Sequence, residues 1–96
     1  MRFEWDENKR LANIRKHGFD FADVSSIFDS DTVTVEDDRY NYGEQRFMTF
    51  ALLQGRTIAV VHTESDDLTN ANGKSRTLSV YRMSDGMKVS QKKIER

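Results

Sequence analysis

The hydrophobic period of this chain changes after Asp29 from about three and a half residues to two, the change from a helical to a strand pattern. Before it, Asp6 can cap a helix running through Asn8-Lys9-Arg10-Leu11-Ala12-Asn13-Ile14-Arg15-Lys16, and a short strand, Phe3 to Trp5, can precede it. Lys16 and His17 suit the negative end of that helix, and Gly18 suits the left-handed position that ends it. Asp20 can cap a second helix with Phe21, Val24, Ile27 and Phe28 on its apolar side. After Asp29, Thr32 to Glu36 alternates as a half-buried strand. Arg46 to Leu53 and Arg56 to Thr63 flank Gln54-Gly55 as the arms of a hairpin. Glu64 to Lys74 reads as a polar loop, Thr77 to Tyr81 as a last strand, and Ser84 to Arg96 as a basic, weakly helical tail. The expected fold is α+β, with two N-terminal helices on one face of an antiparallel sheet of four to five strands.

A chain of 96 residues without repeats or linkers predicts one domain over residues 1–96. Such a small core makes a partner that buries more surface a reasonable expectation. Having no cysteine, the chain forms no disulfide, thiolate metal site or cysteine nucleophile. Two histidines far apart in sequence do not make a zinc site, and Asp37 and Asp38 would point to opposite sides of an extended backbone, so no metal or cofactor is expected. No apolar run approaches the ~20 residues of a membrane span, and Met1 to Asp6 does not resemble a signal peptide, so a soluble, cytoplasmic protein is expected.

The net charge of −1 conceals a split. Six basic residues face eleven acidic ones through Glu44, and nine face five from Gln45 onward, so the halves carry −5 and +4. Such a division suits a protein that meets a basic partner with one surface and a polyanion with another, although chance in a small chain gives the same numbers.

The most informative segment is Asp38-Arg39-Tyr40-Asn41-Tyr42-Gly43-Glu44-Gln45-Arg46, joined by Arg82. Arginine offers a planar fork of donors that matches phosphate, and a tyrosine ring gives a base something to stack on. A glutamate between arginines can act as a general base or hold an arginine in place. Metal-independent RNA cleavage needs a base for the 2′-hydroxyl, cations for the pentavalent phosphate and an acid for the leaving oxygen. Arg39, Glu44, Arg46 and Arg82 are therefore the candidate catalytic residues, and Tyr42, Lys9, His62, Lys92 and Lys93 the candidate RNA contacts. A charged turn with surface ion pairs would give the same spacing. His17 is better explained as a helix-end residue than as a catalytic one, and His62 slightly better as a buried histidine beside Ile58 and Val60 than as a proton donor.

Trp5-Asp6, Lys9, Asn13 and Lys16-His17-Gly18 resemble the opening W-D-x-x-K-x-x-x-N-x-x-K-H-G of the BrnT family, toxins of type II toxin–antitoxin systems. Phe21-Ala22 and Phe28 are similar to its second helix, Arg39 with Tyr42-Gly43-Glu44 and Arg46 to its R-x-x-Y-G-E-x-R segment, and Ser79 with Arg82 to a later S-x-x-R. The resemblance implies a RelE-like fold, endoribonuclease activity that inhibits translation, and a BrnA-type antitoxin with a DNA-binding domain. It also implies that the two proteins form a hetero-oligomer that represses its own operon and meets DNA only through the antitoxin. After Arg82 the chain departs from the family: Met83 to Ser90 has Lys88 where glutamate is usual, and Glu64 to Lys74 is long for this hairpin. These departures leave room for a catalytically weak homologue acting as an antitoxin-binding corepressor.

Overall fold

The computed structural model describes residues 1–67 and 75–86, and its elements change type where the hydrophobic period does. Strand β1 (Arg2–Trp5) leads into helix α1 (Glu7–His17). The Asp6 carboxylate caps α1 by accepting hydrogen bonds from the backbone N–H groups of Asn8 and Lys9. Gly18 ends it at φ 78°, with its N–H bonded to the carbonyl of Ile14. The expected second helix is split. Asp20 accepts from the N–H of Ala22 and sets a single 3-10 turn, Phe21–Asp23, before α2 (Val24–Phe28) continues in α geometry.

Strands β2 (Val33–Glu36), β3 (Phe47–Leu53), β4 (Arg56–Asp67) and β5 (Ser75–Asp85) follow. Gln54 and Gly55, at φ 52° and 79°, join β3 to β4 with the two left-handed residues of a type I′ turn. The described strands form one sheet in the order β1-β5-β4-β3-β2. Three pairings are antiparallel, but β1 runs parallel to β5, so the sheet is mixed rather than antiparallel. A four-residue strand carries no local mark of its partner, and here that partner is more than seventy residues away. The polar run Glu64 to Asp67, expected as loop, extends β4, because each residue finds a partner between Ser75 and Leu78. Ser84 and Asp85, expected in a helical tail, belong to β5 and pair with Ala59 and Ile58. The rest of the expected tail, residues 87–96, and the rest of the expected loop, residues 68–74, lie outside the described residues.

Alternation along β4 separates two apolar clusters. Ile58 and Val60 join Ala51, Val80 and Met83 with Phe21, Val24 and Ile27 in the larger one, on the side of the sheet that meets the second helical segment. Ala59 and Val61 face the other way, against Met48, Val35, Phe50 and Tyr81. Asn13 fastens α1 to the sheet. Its side chain donates to the carbonyl of Met83 at 3.0 Å and accepts from that residue's N–H at 3.2 Å. Since β1 pairs with β5 only as far as Val80, this amide takes over the hydrogen bonding of the strand edge where β1 ends.

The last local feature to affect the site is a β-bulge. His62 pairs with Val80 and Val61 with Arg82, leaving Tyr81 as an extra residue in β5. Without it, Tyr81 and Arg82 would point to opposite faces. With it, Val80 and Met83 both enter the helix-side core, while Tyr81 and Arg82 both border the same hollow on the opposite face.

Candidate functional site

The β2–β3 connection is built around Asp37. Its N–H donates to the carbonyl of Arg46 at 2.8 Å, closing the loop at its base. Its carboxylate, in a residue only 4% exposed, accepts from Arg39 Nε at 2.7 Å, Arg39 Nη2 at 3.0 Å and the Tyr42 hydroxyl at 3.1 Å. The Arg39 guanidinium, more than the hydroxyl of Tyr42, holds the Asp37 carboxyl below its ordinary value despite burial. The same pair raises Arg39, whereas burial first and the Asp37 bond second raise the Tyr42 phenol.

Tyr42, so anchored, supports Arg46. The Arg46 guanidinium lies over the Tyr42 ring at 4.1 Å from its centroid and over the Tyr81 ring at 4.4 Å. Its Nε donates to Glu44 at 3.1 Å. From α1, Lys9 places its ammonium over Tyr81 at 4.7 Å. Lys9, Tyr42, Arg46 and Tyr81, with Arg82 and the exposed ring of Tyr40, surround a cleft of about 260 Å³. Three cations line it without a carboxylate among the lining residues, and the buried Arg82 Nε has no hydrogen-bond partner among the described residues. An oxyanion entering the cleft would meet guanidinium and ammonium donors beside aromatic faces, the surroundings that suit a phosphate between two bases. A second hollow of about 280 Å³ adjoins it, sharing Lys9 and Tyr81 and bordered by Glu4, Asp6 and Ser79.

Of the residues singled out from sequence, Lys9, Tyr42, Arg46 and Arg82 come together in the cleft, with Glu44 beside them through Arg46. Arg39 does not line it, since its fork is occupied by Asp37. His62 is on the other face of the sheet and wholly buried, its ring edge-on to Phe28 and stacked on Phe47. His17 stands in the last turn of α1. Lys92 and Lys93 lie outside the described residues. No group of three metal-ligating side chains occurs among the described residues, and no helix among them is long and apolar enough to cross a membrane.

Sequence reasoning missed Asp37 and Tyr81 as site-building residues. The D-x-R spacing of Asp37 and Arg39 carried a local signal, because two residues within one turn can pair. Tyr81 had none, because only the bulge brings it to the side of Arg82.

The family model described as the ribonuclease toxin BrnT of type II toxin–antitoxin systems matches residues 5–86, a span that includes every residue lining the cationic cleft. No curated protein matches the chain.

Proposed function

Because the chain belongs to the BrnT family of ribonuclease toxins of type II toxin–antitoxin systems, we propose that it is a metal-independent endoribonuclease whose substrate phosphate sits among Lys9, Arg46 and Arg82. The observation that carries this reading is the cleft itself, where three cations meet two tyrosine rings that already stack on Arg46. Glu44, bonded to Arg46, takes the proton of the 2′-hydroxyl as that oxygen attacks the adjacent phosphorus. Arg46 and Arg82 stabilise the charge that accumulates on the pentavalent phosphate. The bond to the 5′-oxygen breaks, that oxygen takes a proton from Lys9, and the products are a 2′,3′-cyclic phosphate and a free 5′-hydroxyl. Tyr42 serves as stacking platform, and Arg39 acts through Asp37 to hold the loop.

A RelE-like single domain acting in the cytoplasm on translated RNA accords with this chemistry. So does storage as a complex with a BrnA-type, DNA-binding antitoxin that represses the shared operon. The acidic N-terminal half offers a surface for a basic partner, and the basic tail with Lys92 and Lys93 offers further phosphate contacts.

The test is induction of the protein with and without the neighbouring open reading frame, followed by mapping of RNA 5′ ends in EDTA-treated reactions. Growth arrest relieved by the neighbour, with new 5′-hydroxyl ends that persist in EDTA, is the expected result. Tight binding of the neighbouring product with RNA left intact would instead identify a corepressor module.

A further inference from the structure

The hollow beside the cationic cleft differs from it in character. Parallel pairing sets Glu4 of β1 opposite Ser79 of β5, and the Ser79 hydroxyl donates to Glu4 Oε1 at 2.7 Å. This brace fixes a carboxylate at the edge of the sheet, on the face that carries Tyr81 and Arg82. Asp6 adds a second carboxylate, itself held by capping bonds from Asn8 and Lys9. Lys9 stands on the seam, lining both hollows. A polyanion held in the cationic half would therefore extend its neighbouring residue into a half dominated by hydrogen-bond acceptors.

Resting on the ribonuclease reading above, we propose that this second hollow is a nucleobase subsite that selects guanine next to the phosphate held by Arg46 and Arg82. Guanine alone among the RNA bases has two adjacent donors, N1–H and N2–H, on its pairing edge, and a carboxylate accepts both in parallel. Ser79 uses only one of the roughly four lone-pair positions of the Glu4 carboxylate, so the acceptor set remains large enough. Uracil presents its single N3–H between two carbonyl acceptors, which a carboxylate repels. Adenine and cytosine have one amino group beside a ring acceptor and fall between these extremes.

The test measures binding of labelled, non-cleavable 2′-deoxy tetranucleotides, three uracils with one guanine, hypoxanthine or uracil at the third position. A well-placed bidentate contact discriminates roughly 10- to 100-fold, which is the expected preference for guanine over uracil. Hypoxanthine, lacking the N2 amine, should lose much of that gain. In Glu4→Gln the ratio should fall to within about twofold, since one of the two acceptors becomes a donor. Ser79→Ala keeps the charge and removes only its brace, so a reduced preference for guanine should remain. Thermal midpoints of both variants report on folding.

Equal binding of the guanine and uracil oligonucleotides by the unaltered protein, or a preference undiminished in a folded Glu4→Gln, overturns the subsite. RNA cleavage without guanine at the cut overturns it too, while leaving the ribonuclease reading intact. Guanine-selective binding by a protein that cleaves no RNA upholds the subsite and overturns that reading. Failure to bind any oligonucleotide overturns both.

Discussion

The buried Asp37 carboxylate grips the Arg39 guanidinium through two hydrogen bonds, Nε at 2.7 Å and Nη2 at 3.0 Å. Arg39 is thereby a part of the loop rather than of the cleft, and the third bond, from Tyr42, carries the effect to the cation stacked on that ring. The sequence offers two arginines in one motif with equal claims on a phosphate. The structure separates them by what each already touches.

Asp37→Asn should therefore weaken both folding and activity. It leaves one acceptor oxygen for four donors, the Arg39 backbone N–H among them, and loss of a charged hydrogen bond at a buried site costs about 1–3 kcal/mol. Urea unfolding should show this loss at neutral pH. The Asp37 pKa is lowered by Arg39, so its contribution is present above the unfolded value of roughly 3.9 and disappears as pH falls through the lower folded value. The difference between the two proteins should accordingly narrow in acid. Tyr42→Phe breaks only the bond that leads to Arg46, so it should lower the rate of RNA cleavage by more than its effect on stability explains.

Arg46 and Arg82 should prove unequal to lysine. Removing a contact to transition-state charge commonly costs roughly 100-fold in rate, which is the expected fall for Arg46→Ala and Arg82→Ala with fold retained. Arg46→Lys should recover little of it, because an ammonium has neither the planar fork nor the face that stacks on Tyr42 and Tyr81. Initial rates on a labelled RNA decide the point, and full activity of Arg46→Lys would remove the stacked guanidinium from the mechanism.

What could be read from sequence was local. The Asp6 cap, the Gly18 stop and the Gln54-Gly55 turn are set by residues within one turn of one another, and each lies where capping and turn chemistry put it. Tyr42, Arg46 and Arg82 were visible as a cluster of phosphate-binding types, and they share one cleft. What stayed hidden depends on pairing at long range. The parallel partner of β1, the extension of β4 through Glu64 to Asp67 and the bulge at Tyr81 arise from contacts with β5 that no short window contains. His62 shows the same limit, because its face of β4 was legible but the rings of Phe28 and Phe47 that enclose it were not.

His62 should make stability fall on mild acidification. Its Nε2 bonds to Thr49 Oγ1 at 2.7 Å, and that hydroxyl to Thr34 Oγ1 at 2.7 Å. Burial lowers its pKa, and Glu64, 3.8 Å from Nδ1 and itself paired with Arg76, offsets only part of that. The unfolded chain, with an imidazole near 6.5, then binds a proton that the folded protein resists. Stability is lost as pH drops below about 6.5 toward the lower folded value, with a slope of at most about 1.4 kcal/mol per pH unit. Urea midpoints between pH 7.5 and 5.5 should show the decline, and His62→Gln should flatten it.

Two glycines should respond to alanine for different reasons. At Gly18 a Cβ would meet nothing within 4 Å, so the cost is the left-handed φ of 78° alone, about 1–2 kcal/mol. At Gly86 a Cβ would lie 2.8 Å from the carbonyl carbon of Ile58 and 2.9 Å from its oxygen. These are backbone atoms of a central strand that also carries Val60 and Val61, so they cannot yield as a side-chain tip would. Overpacking of this kind costs about 1–3 kcal/mol, and more when the strand itself must shift. For a domain of this size each kcal/mol lowers the midpoint by roughly 4–8 °C, so thermal melts resolve the two variants. Gly86→Ala should melt below Gly18→Ala and should also depress activity, because the clash falls just past the end of β5, four residues beyond Arg82. A Gly86→Ala protein as stable as the unaltered chain would mean that the end of β5 does not press on Ile58, and the close pairing of Asp85 with that residue would fall with it.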